Sequence, residues 1–178
     1  LAMSIAMEMD KTVLLVDADV SKPSVLQQLG ITADRGLLDL LLDKELKPSD
    51  VLIRTNIENF SILPSGRSHR KATELLASEA MADLIDDMAM RYPDRIIIFD
   101  SPPLLVTTEA SVLATHMGQI VMIISSGNTP QMAVKDALSL IDSCDIVGVV
   151  LNKTTASNGK GYGYGYGYGY GYRTKHDQ

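Results

Sequence analysis

Thr12-Val-Leu-Leu-Val-Asp-Ala-Asp-Val-Ser-Lys-Pro23 opens on four consecutive aliphatic residues, Val13 to Val16. An unbroken run of this kind fits a strand buried on both faces of a parallel sheet. The run ends in two carboxylates, Asp17 and Asp19. In an open α/β sheet, ligands bind beyond the carboxyl ends of the strands. Two acids at that place suit a hydrated magnesium ion, or a base beside a phosphate. They also suit a plain turn, because Asp is common where a strand ends. Arg95 to Leu105 repeats the design: Ile96 to Phe99 is apolar and ends in Asp100, followed by Ser101-Pro102-Pro103. Two such strands, each tipped by Asp, are what a nucleotide site needs to hold a metal at one sheet edge.

The rest of the chain alternates in the same manner. Leu1 to Met9 is helix-forming, without a cap before it. Ser24 to Leu29 reads as a short helix stopped by Gly30. Gly36 to Asp43 is a short amphipathic helix, Pro48 to Ile53 a turn with an edge strand, and Phe60 to Leu63 a strand closed by Pro64-Ser65-Gly66. Gly66 to Lys71 is basic and reads as a solvated connection, with a phosphate- or partner-facing loop as the alternative. Ala72 to Arg91 carries one long helical pattern. Thr107 can cap a helix with Glu109 in its first turn. Gln119 to Ile124 is a strand, Thr129-Pro130 starts a helix running to about Ser143, and Ile146 to Leu151 is the last strand. Alternation from 72 to 151 argues for a parallel sheet with right-handed crossovers.

A chain of 178 residues with 46% hydrophobic and 21% charged residues suits one soluble domain with a real core. No apolar run approaches the roughly 20 residues that span a bilayer. The start at Leu1, without Met, suggests a fragment, and no signal peptide is visible. The single cysteine, Cys144, permits no internal disulfide, which fits a reducing cytoplasm; it reads as a core thiol near a helix end. His69 has no second His at metal-ligand spacing. The net charge of −6 argues against general nucleic-acid binding. Residues 159–178 carry +2, so the body carries −8.

From Gly161 to Tyr172 the chain is a strict Gly-Tyr repeat containing Tyr162, Tyr164, Tyr166, Tyr168, Tyr170 and Tyr172, six of the seven tyrosines. Alternate glycines offer no apolar face to bury. The repeat reads either as a low-complexity adhesive or stacking segment, or as a cluster of phosphate acceptors. Each phosphate would add about −1.5 to −2 charges.

Together these pieces resemble the bacterial tyrosine autokinases that regulate exopolysaccharide and capsule synthesis. Val13-Leu-Leu-Val-Asp-Ala-Asp19 is similar to that family's Walker A′ motif, Ile96-Ile-Ile-Phe-Asp-Ser-Pro-Pro103 to its Walker B motif, and Tyr162 to Tyr172 to its C-terminal tyrosine cluster. The Walker-type strands alone are shared with partitioning and division-site ATPases; the tyrosine cluster is the specific element.

The resemblance implies a P-loop NTPase-like three-layer α/β sandwich with a mainly parallel sheet. Residues 1–153 would form the nucleotide-binding kinase domain and 154–178 a flexible tail. ATP and Mg2+ would be the cofactors. Asp17 would be the base toward a tyrosine hydroxyl, Asp19 and Asp100 would hold magnesium largely through water, and Asn152 would read the adenine edge. The kinase would work in a homo-oligomeric ring at the inner face of the bacterial membrane, reached through a partner or an upstream membrane segment. A membrane polysaccharide co-polymerase would activate it, and a protein-tyrosine phosphatase would reset it. A partitioning-type ATPase switch and a non-catalytic tail-docking module are the alternatives.

Two departures stand out. The phosphate loop G-x-x-x-x-G-K-S/T does not occur in these residues. Its place is expected just upstream of Leu1, together with a preceding strand near the middle of the sheet. This exact chain is therefore expected to bind ATP poorly and not to phosphorylate itself alone. The family's usual Arg two residues after the second Asp is Ser21 here, with Lys22 beside it.

Overall fold

The computed structural model describes residues 1–154 apart from Met9 and Tyr92. The six tail tyrosines lie outside that range. β1 (Thr12–Asp17) is the centre of the larger sheet. It pairs in parallel with β3 (Phe60–Leu63) on one side and with β4 (Arg95–Asp100) on the other. A two-residue edge strand, β2 (Ile53–Arg54), runs antiparallel to β3. The order is β2-β3-β1-β4.

The aliphatic run of β1 is explained by what covers it. Leu14 and Val16 face one core with Leu63, Ile97 and Phe99. That core is closed by α3 (Leu37–Leu42), α5 (Ala72–Leu76), α6 (Glu79–Arg91) and α7 (Thr108–Ala114), through Leu37, Leu38, Leu76, Met81, Met88 and Leu113. Val13 and Leu15 face the opposite core with Phe60, Ile62 and Ile98. There α1 (Ala2–Ala6) and α2 (Val25–Leu29) form the cover. Helices on both faces of a parallel sheet make three layers, and alternation along β1 feeds both cores. Full burial of each such Val or Leu contributes about 1.5–3 kcal/mol.

Several helix boundaries differ from the sequence expectation. The pattern over 72–91 is two helices, because Ser78 breaks it: its N–H and its hydroxyl both donate to the Leu75 carbonyl. Its own carbonyl then accepts from Met81 N–H to begin α6. The short hydroxyl competes with the backbone for the same acceptor, a habit that ends helical turns. α8 (Gln131–Ser139) stops four residues before Ser143. Pro130 is its N-cap residue, and the Thr129 hydroxyl accepts from Ser125 N–H instead of capping the helix. Cys144 lies beyond that helix in a turn, half-buried, with Sγ 3.5 Å from the Met117 carbonyl. Thr107 is the N-cap residue of α7 but gives no side-chain cap bond. Pro48 to Ile53 resolves into a single helical turn, α4 (Pro48–Val51), and β2. Gly30 closes α2 with φ +66°, the left-handed position glycine adopts freely.

The last two strands stand apart. β5 (Ile120–Ser125) and β6 (Val147–Asn152) pair only with each other, in parallel. Among the described residues, β4 and β5 therefore each leave one edge unpaired. α7 joins the two halves: Leu113 belongs to the large core and Ala114 to the small one around Met122, Ala137 and Ile141. A cleft of about 560 Å³, lined by Leu1, Ser4, Val121, Ile123, Val150 and Asn152, lies between α1 and the small sheet. Val121 and Ile123 are 48% and 59% exposed, unusual for strands this apolar.

Candidate functional site

β1 and β4 are in register from Thr12↔Arg95 to Asp17↔Asp100. The two acids thus leave the sheet at one rim, side by side, on strands about 4.8 Å apart. Ala18 N–H donates to the Asp100 carbonyl at 2.9 Å and carries the ladder one step past the strand ends. Asp17 is 1% exposed. Its Oδ2 accepts from Val25 N–H at 3.2 Å and so holds the start of α2, where Ser24 makes no side-chain cap. Its Oδ1 is buried with no protein partner. Burial raises the pKa of Asp17 above the ordinary carboxylate value; the Val25 N–H opposes the rise, and the charges of Asp100 and Asp19 add to it. Burial, then Asp19, raises Asp100 likewise.

Asp19 differs. Its Oδ1 accepts from Lys22 N–H at 2.9 Å, so part of this carboxylate serves a local turn. Among the described residues no group of three or more His, Cys, Asp or Glu side chains is gathered closely enough to hold a metal alone. The donors at the rim nevertheless fit one kind of ion. Mg2+ keeps several waters and takes one or two carboxylates plus phosphate oxygens. An unpartnered buried carboxylate oxygen next to a second acid offers such a partial set. Asn152 ends β6 beside Ser125, in the other sheet, and lines the cleft facing α1. Its Oδ1 accepts from Lys153 N–H.

A second polar feature sits at the same rim. Asp39, in α3, is 4% exposed, yet it is surrounded by leucines. Its carboxylate accepts from Gly36 N–H at 3.0 Å, Arg67 N–H at 3.1 Å and Arg67 Nε at 2.7 Å. Burial alone would raise its pKa; the side chain and N–H of Arg67, with Gly36 N–H, outweigh it and leave the pKa lowered. Leu37 N–H and Leu38 N–H donate to the Pro64 and Ser65 carbonyls, binding α3 to the loop after β3. The loop read as a solvated connection is thus fixed at its first residues. The signal in the sequence was a lone acid inside Leu37-Leu-Asp-Leu-Leu-Leu42, a charge that must find a partner. The helix that follows the loop, α5, is tied to α7, where the Thr73 hydroxyl donates to Glu109 at 2.6 Å.

Gly36 and Gly66 sit at the crossing. A Cβ on Gly36 would run into the Pro64 carbonyl and the Gly66 backbone. Gly36→Ala is expected to cost roughly 1–3 kcal/mol, the range for overpacking. A thermal melt reads this directly, and an unchanged Tm would show that the two segments separate cheaply.

A scan against protein-family models finds no match. Single relatives are clear. YwqD of Bacillus subtilis, a tyrosine-protein kinase, is 32% identical over 144 residues, covering 80% of this chain and 60% of the relative. The succinoglycan biosynthesis transport protein ExoP of Rhizobium meliloti is 34% identical over 152 residues, 81% of this chain and 19% of ExoP. The VpsO kinase domain superposes with a TM-score of 0.77 at 27% identity, over 86% of this chain and 75% of that domain. In fold alone, the septum site-determining protein MinD of Pyrococcus horikoshii, solved with Mg-ADP, matches with a TM-score of 0.66 at 23% identity, over 88% of this chain and 64% of MinD. The chain thus spans between about a fifth and three fifths of these two curated relatives. Its architecture is that of a P-loop NTPase-like α/β fold, and its homologues include proteins named as bacterial tyrosine-protein kinases.

Proposed function

We propose that this chain is the phosphoryl-transfer part of an ATP-dependent tyrosine autokinase whose acceptors are Tyr162, Tyr164, Tyr166, Tyr168, Tyr170 and Tyr172. The observation that carries the reading is the register of Asp17 with Asp100 at one rim of the sheet. Phosphoryl transfer needs little covalent chemistry from a protein; it needs positioning and charge neutralisation. Asp17 has the attributes of the base. Its Oδ1 is unpartnered, and its raised pKa makes it a better proton acceptor for a tyrosine hydroxyl. Asp100, and Asp19 through water, would hold Mg2+, which when bound draws charge from the β- and γ-phosphates. Asn152 would meet the adenine edge from the small sheet.

Residues 1–153 would be the catalytic domain and 154–178 the acceptor tail, acting on a neighbouring copy in a ring. ExoP's name supports a place in polysaccharide synthesis or export, with a membrane co-polymerase as activator and a tyrosine phosphatase as counterpart. Location at the inner face of the membrane would come through that partner or through an upstream membrane segment; among the described residues no helix is long and apolar enough to cross a bilayer.

These 178 residues contain no G-x-x-x-x-G-K-S/T sequence. The amides and lysine of such a loop supply much of the grip on nucleotide phosphates. The chain alone is therefore expected to incorporate no phosphate from Mg-ATP. A version extended upstream with a strand and a G-x-x-x-x-G-K-S/T phosphate loop is expected to label its tail tyrosines, read by mass spectrometry. Absence of phosphate from all six tyrosines in a folded, nucleotide-binding extended version would refute the kinase reading.

A further inference from the structure

The basic loop after β3 belongs to no role assigned above. Arg67, His69, Arg70 and Lys71 fall within five residues, all exposed, on a body that otherwise carries excess negative charge. Two ion pairs occur among the described side chains, Arg67 with Asp39 and Arg91 with Asp87, so Arg70 and Lys71 are in neither. The loop is anchored where it begins. At its start the buried Asp39 grips Arg67 by Nε and N–H, while the Arg67 side chain stays 72% exposed. Beyond its end, α5 is tied to α7 where the Thr73 hydroxyl donates to Glu109. His69 is folded in as well, its Nδ1 accepting from Lys71 N–H.

Burying a carboxylate is costly, and here it fixes the stem of a guanidinium whose outer nitrogens remain in water. That is how a protein pre-organises a cation for an incoming anion. The place is informative. Val16↔Leu63 pairing sets Pro64 beside Asp17. Arg67 is three residues further, at most about 10 Å away.

We propose that the 67–71 loop binds a phosphotyrosine in the Gly-Tyr segment of a second copy. Arg67 and Arg70 would take the phosphate oxygens in forked contacts, with Lys71 adding charge. Unmodified, the 159–178 tail carries +2 and has no charge complementarity with this loop. One phosphate, about −1.5 to −2 charges placed at a single ring, brings the tail close to neutral and sets a local negative charge in the repeat, and a second makes the tail net negative. In an extended chain, tyrosines two residues apart lie roughly 7 Å from one another. A phosphotyrosine seated at Arg67 therefore leaves the next one or two tyrosines within reach of Asp17. The first modification would hold the tail for the following ones. The inference rests on the tail being the phosphate acceptor, but its test does not use the kinase reaction.

The test is fluorescence anisotropy of labelled Gly-Tyr-Gly-Tyr-Gly-Tyr peptides, with and without one phosphotyrosine, titrated with the full 178-residue chain in the absence of nucleotide. The phosphopeptide is expected to bind at least tenfold more tightly. Arg70→Glu with Lys71→Glu, both side chains exposed and unanchored, should lose that preference while circular dichroism stays unchanged. Arg67→Gln should weaken binding about tenfold. Equal binding of the two peptides, full displacement by an equimolar amount of inorganic phosphate or ATP, or unchanged affinity in the double variant would overturn the proposal. A labelled tail in the extended kinase without phosphopeptide binding would refute this inference alone; phosphopeptide binding without labelling would refute the kinase reading alone.

Discussion

Asp17→Asn is expected to lower tail phosphorylation by roughly 10²–10⁴-fold in the upstream-extended protein, the range lost with a positioned general base. The fold should survive. Asn has the same shape, and its side-chain oxygen can still accept from Val25 N–H, the bond that starts α2. Stability should rise rather than fall. Asp17 is 1% exposed and its pKa is raised by burial and by Asp100 and Asp19. A carboxyl whose folded pKa lies above its unfolded value opposes folding when ionised. That cost fades as pH falls through the folded value toward 3.8. The parent chain should therefore gain stability as it is taken down through that window, and the Asn variant should lack this gain. Full activity in the variant would remove Asp17 from the role of base, and a lowered Tm at neutral pH would refute the cost assigned to burying its charge.

Asp39→Ala should be the most damaging single change to the fold outside the hydrophobic cores. It strands Gly36 N–H and Arg67 N–H and frees the loop from α3. An orphaned buried donor costs about 1–3 kcal/mol. The two donors together cost about 2–6 kcal/mol, a fall in Tm of roughly 4–24 °C for a domain of this size. The pH dependence has the opposite sign to that of Asp17. The folded pKa of Asp39 is depressed, so its contribution is present above the unfolded value near 3.8 and is lost as pH falls below it through the folded value. The gap in stability between parent and variant should be widest at neutral pH and close in strong acid. A Tm within 2 °C of the parent at pH 7 would mean that Arg67 and Gly36 find water as readily as they find Asp39.

What could be seen in the sequence depended on the range of the interaction. Val13 to Val16 and Ile96 to Phe99 are strands because they are buried on two faces, and apolar runs announce that locally. Their acids follow from where such strands end. Only coordinates could show that Asp17 and Asp100 are register partners, since pairing is a contact across 83 residues of chain. The clamp between Asp39 and Arg67 spans 28 residues, and Gly36 owes its identity to Pro64 and Gly66, which periodicity does not reveal. The break at Ser78 was hidden for another reason: Leu75, Leu76, Met81, Leu84 and Ile85 all reach the same core, so their spacing looks continuous across two helices.

The open edges of β4 and β5 give the chain a material property. Among the described residues no strand pairs with these edges, and their half-exposed valines and isoleucines lie beside a template that an extended apolar peptide can complete. At high concentration such edges promote association between copies, so dilution and added chaotrope should suppress turbidity on heating.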